Sequence, residues 1–222
     1  MTTFDERYEQ YLDEDWKSAT ASAMLGVGLM FGAGPESTEA RERPSIEDVV
    51  YQPPANAPRG VRNNNPGNVE ISNENWIGKI NGTDPRFETF LTPEWGIRAI
   101  GRVLMTYYNR HDLNTIHDII HRWAPEWRTL PDGTRIREND TPRYIRNMER
   151  ITGLSAHEPL NLTTNRENMK KVIIGIIRCE NSFEYPDDVI ENALEIIFMD
   201  TGRARDLFTQ QQRNLNLRFA QR

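Results

Sequence analysis

Residues 165–180 constrain the fold of this 222-residue chain more than any other segment. Val172, Ile173, Ile174, Ile176 and Ile177 are nearly contiguous, so a helix here is apolar on several sides and needs cover on each of them. The chain supplies the cover as further helices. In 93–110, Trp95, Ile97, Ile100, Val103, Leu104, Tyr107 and Tyr108 fall on one face at helical spacing. Asn114 or Thr115 can cap a helix over 115–123 that Pro125 ends. Thr141 is the expected cap of the next helix, with Pro142 in its first turn and Gly153 closing it. Pro186 opens a helix running to about Met199, and the polar, basic stretch 201–222 fits one more.

Before these helices the chain reads differently. Arg59-Gly60-Val61-Arg62-Asn63-Asn64-Asn65-Pro66-Gly67-Asn68 is turn chemistry and cannot form a helix interior. Short strand-like pieces follow at Val69–Ser72, Trp76–Ile80 and Phe87–Leu91, and 126–137 reads as a hairpin turning at Pro131-Asp132-Gly133. The fold class is therefore mainly α (α+β): a helical domain over 59–222 with a small antiparallel β element, plus an N-terminal extension.

The extension, residues 1–58, differs in charge and composition. It carries eleven acids against four bases, a net of −7, while the remaining 164 residues are near +1. Neither part has the basic face that nucleic-acid binding requires. Residues 4–18 fit a short helix carrying Phe4, Tyr8, Tyr11 and Leu12, and residues 34–58 contain five prolines among many charges, which is linker chemistry. Residues 19–33 are apolar and uncharged, but fifteen residues fall short of the ~20 that span a bilayer. An acidic leader also differs from the basic start of a secretory signal. The tract reads as a buried or partner-bound segment, with membrane contact as the alternative. Cys179 is the single cysteine, so no intrachain disulfide forms.

Four groups of residues could carry chemistry. Glu180 lies at the end of the apolar helix, where poor solvation and the negative helix end both favour a protonated carboxyl. Such a group can protonate the leaving oxygen of a glycosidic bond. The plainer alternative is a solvated glutamate paired with Arg178. Arg62–Asn68 and Trp76 offer amides and an aromatic plane to a sugar or peptide, or else simply hold the sheet together. His117 and His121 stand four apart, as in a helical zinc motif, but Asp118 occupies the glutamate position and no third ligand has a recognisable spacing, so no metal is expected. Glu138 and Asp140 are possible second carboxylates, although Asp140 and Thr141 are also explained as a helix N-terminus.

Taken together, these pieces resemble a family of phage and prophage virion-associated murein hydrolases, lytic transglycosylases with a lysozyme-like fold. The pattern begins with Arg59–Asn68 and continues through Trp76 and Gly78, Phe87 and Phe90, and Pro93–Ala99. It then runs through Arg122-Trp123-Ala124-Pro125, Glu138–Ile145 and Ile177–Asn181, with Tyr185 and Pro186 close behind. It covers about residues 59–190. This chain departs from it in two places: 126–137 intervenes where the family has a residue or two, and Ser182 stands where glycine is usual. In flagellar-type glucosaminidases, whose sheet region is similar, the glutamate helix comes first; here it comes last.

The resemblance implies a peptidoglycan-cleaving glycosidase of lytic-transglycosylase or lysozyme type, carried in the virion and acting at the host wall during genome delivery or lysis. Glu180 would be the acid, Asn68, Trp76 and Tyr185 subsite residues, and Glu138 or Asp140 an assisting carboxylate. No cofactor is expected. Partners would be peptidoglycan and, through residues 1–58, other virion proteins. The rival readings are a non-enzymatic virion structural protein that binds peptidoglycan or its neighbours, and a zinc peptidase built on His117 and His121.

Overall fold

The computed structural model describes residues 53–54, 56–130 and 132–220, with the side chains of 217–220 left aside. Residues 1–52, and with them the expected helix at 4–18 and the apolar tract 19–33, lie outside the described residues, as does Pro131. The described residues belong to one compact unit, Pro44–Arg222. Its elements in chain order are α1 (Arg59–Arg62), β1 (Lys79–Ile80), β2 (Thr89–Phe90), α2 (Pro93–His111), α3 (Ile116–Trp123), β3 (Trp127–Thr129), β4 (Arg135–Arg137), α4 (Thr141–Thr152), α5 (Arg166–Asn181), α6 (Asp187–Phe198) and α7 (Thr201–Ala220). The fold is mainly helical with two small antiparallel hairpins, β1–β2 and β3–β4.

The apolar helix is α5, and it is covered as its composition requires. Met169, Val172, Ile173, Gly175, Ile176, Ile177 and Cys179 are all buried. Asn165 caps its start by accepting from the Asn168 N–H at 3.0 Å. The α4 helix packs closely on it, while α2 packs most extensively on α6. A second cluster gathers Phe90, Trp95, Ala99, Ile196 and Ala204, with Trp76, Ile77, Leu207 and Phe208 against it. Within it the Trp95 indole donates to Gln211 at 2.7 Å, tying α7 to α2.

The end of α5 carries a strained residue. Ser182 takes a left-handed conformation, φ 48°, and its N–H closes the helix on the Arg178 carbonyl at 2.9 Å. Glycine adopts this conformation without the Cβ penalty. Ser182→Gly is accordingly expected to stabilise the protein by about 1 kcal/mol, read as a higher urea midpoint at unchanged m-value. An unchanged or lower midpoint would show that the serine side chain compensates for the backbone cost.

Helix boundaries follow the periodicity closely; the caps and strands differ in instructive ways. Asp140, not Thr141, caps α4, accepting from the Arg143 N–H at 3.2 Å. The Thr141 hydroxyl is buried and donates instead to the Ala124 carbonyl at 2.6 Å. The chain folds one helical turn, α1, at the head of the turn-rich run. Val69–Ser72 forms a single bridge, Glu70 with Phe87, in place of a strand. The bridge is flanked by the Glu88 N–H on the Val69 carbonyl at 3.0 Å and the Ile71 N–H on the Arg86 carbonyl at 2.9 Å; beyond it the Val69 N–H turns to the Asn65 side chain at 2.9 Å, and pairing stops there.

Asp84 organises the turn before β2. Arg59 donates to both of its oxygens at 2.5 Å, Asn63 donates at 2.8 Å, and the backbone N–H groups of Arg86 and Phe87 donate at 2.9 Å. The Arg59 guanidinium foremost, then the backbone donors, hold this carboxyl well below the usual aspartate range. A folded-state pKa below the unfolded one adds stability that is present above about pH 4 and is lost as pH falls. Asp84→Asn should therefore lower the melting temperature at pH 7, with the gap from wild type closing below about pH 3. A gap independent of pH would mean that the ionised form is not favoured by folding.

Candidate active site

Glu180 lies in the last turn of α5, half-buried, and receives donors from three separate segments. Its Oε1 accepts from the Trp123 indole at 3.1 Å and from the Tyr144 hydroxyl at 3.0 Å. Its Oε2 accepts from the Asn68 side-chain amide at 3.0 Å. Trp123 closes α3, Tyr144 lies on the buried face of α4, and Asn68 ends the Asn-Pro-Gly-Asn turn. Packing of α3 and α4 around α5 thus delivers two aromatic donors to the carboxylate from one direction, and the turn delivers an amide from another.

The turn itself is clamped to the same helix end. Asn181, the residue after Glu180, donates to the Pro66 carbonyl at 2.5 Å and is buried. Gly60 is required at this junction: a Cβ there would stand 2.4 Å from the Asn181 amide oxygen and 2.6 Å from that of Asn68. On the other side, Asn139 donates to the Pro125 carbonyl at 2.9 Å, which holds the start of α4 against the end of α3. Four stretches distant in sequence, Arg59–Asn68, Arg122–Pro125, Glu138–Ile145 and Ile177–Asn181, therefore meet around one carboxylate.

Glu180 opens into a groove of about 680 Å³. Asn68, Phe87, Tyr107, Trp123, Trp127 and Glu138 are among its walls. Arg86 and Arg128, also in the lining, bracket the Glu138 carboxylate at 3.4 Å and 3.1 Å. The groove is thus mixed in character, with aromatic planes interleaved with charged and amide groups.

The electrostatics keep the neighbours of Glu180 in their neutral forms. Burial first, and the adjacent Glu180 carboxylate second, hold the Tyr144 phenol well above the usual tyrosine range. It remains a hydroxyl, able to donate to a carboxylate and to accept from a carboxylic acid. The same two causes push the buried Cys179 thiol up, so it is not a nucleophile at neutral pH.

The residues singled out from the sequence are distributed unevenly around this site. Glu180, Asn68 and Glu138 line the groove together. Asp140 is the N-cap of α4, with Arg137 at 3.7 Å, and is not in the lining. Trp76 packs against the Phe90–Trp95 cluster. Tyr185 is buried beside Phe183, in a smaller cavity with Ile177 and Ile190. The amides of Asn63, Asn64 and Asn65 are engaged inside the protein, on Asp84, the Phe90 and Leu91 carbonyls, and Val69 with Glu88. The His117 and His121 rings lie with centroids 4.4 Å apart and planes tilted by 54°, and His117 approaches Asp118 at 3.1 Å. Among the described residues no three His, Cys, Asp or Glu side chains are grouped to hold a metal ion. Trp123 and Tyr144 escaped the sequence reading as partners of Glu180; the only signal for either was its place in a motif of the resemblance.

No protein-family model matches the chain. Over 144 residues it is 40% identical to protein P5 of Pseudoalteromonas phage PM2, an alignment that takes in 63% of this chain and 81% of that protein. At that identity and coverage the chain belongs to the family of phage PM2 protein P5.

Proposed function

We propose that this phage protein is a virion-associated glycosidase that cuts the glycan strands of peptidoglycan, with a lysozyme-like domain and Glu180 as its general acid. The observation that carries the reading is the single carboxylate held by Asn68, Trp123 and Tyr144 at the wall of a groove about 680 Å³ in volume. A glycan strand lying in the groove would bring a glycosidic oxygen to Glu180. The protonated carboxyl donates to that oxygen as the bond to the sugar breaks, while its oxygens still accept from the three donors. The resulting carboxylate then removes a proton from the attacking hydroxyl, which belongs to water in a lysozyme and to the sugar itself in a transglycosylase.

Tyr144 suits both halves of this cycle, because its hydroxyl can donate to Glu180 Oε1 whether the carboxyl is protonated or ionised. Of the two candidate second carboxylates, we assign Glu138, which faces the same groove, and leave Asp140 to its helix cap. Residues 1–58 are assigned to docking on other virion proteins, on their charge and linker composition. Zymography on gels containing cell walls tests the activity: a clearing band is expected, and it should persist in chelator. Absence of clearing with walls still bound would leave a peptidoglycan-binding structural protein, and loss of clearing in chelator would favour the zinc reading.

A further inference from the structure

We infer that the β3–β4 hairpin adds a sugar-stacking subsite to the groove, with the Trp127 indole as its platform for an N-acetylated hexose of a glycan strand. The inference rests on the glycan reading of the groove. Every residue of both strands is exposed, and Trp127 is 48% exposed, yet it lies in the groove lining with Arg128 and Thr129. A large aromatic plane left open beside hydrogen-bonding side chains suits a pyranose, whose C–H face stacks while its hydroxyl and acetamido groups are met at the edge.

The hairpin is anchored rather than loose, so the platform is set before ligand arrives. Arg137 donates to Glu126 at 3.0 Å and the Glu138 N–H donates to the Glu126 carbonyl at 2.9 Å. Glu138 joins Arg128 of the hairpin to Arg86, which also lines the groove. The Arg135 guanidinium sits 5.3 Å from the Trp127 ring centroid, which orients the indole and occupies one of its faces. Ile136, the other exposed apolar side chain here, pairs across the ladder with Arg128 rather than with Trp127. Strand alternation therefore places it on the opposite face, and the hairpin presents no continuous apolar patch of the kind protein docking uses. These residues fall within 126–137, the stretch by which the chain departs from its resemblance pattern, so the subsite would be particular to chains that carry the hairpin.

The test uses full-length Glu180→Gln, which should hold a soluble chitin oligosaccharide without cutting it, measured by titration calorimetry. Adding Trp127→Ala is expected to weaken binding about ten-fold, and Trp127→Phe to restore most of it, with melting temperatures unchanged because the side chain is exposed. In the otherwise wild-type protein, Trp127→Ala should raise KM on walls and leave kcat nearly unchanged. If the oligosaccharide binds Glu180→Gln equally well with and without Trp127, the subsite is overturned while the glycan groove stands. If a stem-peptide fragment binds in a Trp127-dependent way and the oligosaccharide does not, the sugar assignment is overturned. Should wild type degrade no wall and bind no oligosaccharide, the glycan reading fails and the subsite fails with it.

Discussion

Replacing Glu180 by glutamine is expected to lower wall-degrading activity by more than about 100-fold, the range that loss of a general acid produces. The substitution keeps the shape of the side chain and removes its transferable proton. The surroundings can accept it. A glutamine oxygen can still receive the Trp123 indole and Tyr144 hydroxyl, and the new amide can face Asn68 once that side chain turns its own oxygen inward. The melting temperature should therefore move by no more than about 4 °C. Activity retained within a few-fold of wild type would remove Glu180 from the chemistry.

The second large effect is on stability. Asn65→Ala is expected to destabilise the protein by about 3 kcal/mol, read as a lower guanidinium midpoint at unchanged m-value. Asn65 is fully buried and its amide makes three bonds: to the Val69 and Glu88 carbonyls and from the Val69 N–H, each at 2.9 Å. Alanine leaves the Val69 N–H and the buried Glu88 carbonyl without those partners, while the Val69 carbonyl keeps the Glu88 N–H at 3.0 Å. The loss should also reach the site, because Asn65 holds the turn whose last residue, Asn68, touches Glu180. A change under about 1 kcal/mol would mean that water or a shift of the turn satisfies the groups that Asn65 now meets.

These two residues show what was legible in the chain and what was not. The helices were, because burial imposes periodicity: α2, α3, α5 and α6 begin and end within two residues of where apolar spacing, caps and prolines place them. Glu180 stood out as a candidate because a carboxylate at the end of so apolar a helix is chemically out of place. Its partners were not. Trp123 is 57 positions from Glu180 and Tyr144 is 36, and only the packing of three helices joins them. Side chains that finish a fold also look like side chains offered to a ligand. The Asn63–Asn65 run is rich in amides, as a sugar site would be, but those amides are engaged inside the protein, on the Asp84 carboxylate and on the Phe90 and Glu88 carbonyls. Trp76 has the ring for stacking and lodges it against the core, whereas Trp127, on a hairpin read only as a turn, stands open to the groove.

The proposed activity is cleavage of glycan strands through Glu180. Mass spectrometry of the soluble fragments released from purified peptidoglycan tests it most directly. Wild type is expected to release muropeptides in which glycan strands have been cut while every stem peptide remains intact, and Glu180→Gln to release almost none. Fragments cut within the stem peptides, or the same glycan fragments from both proteins, would contradict it.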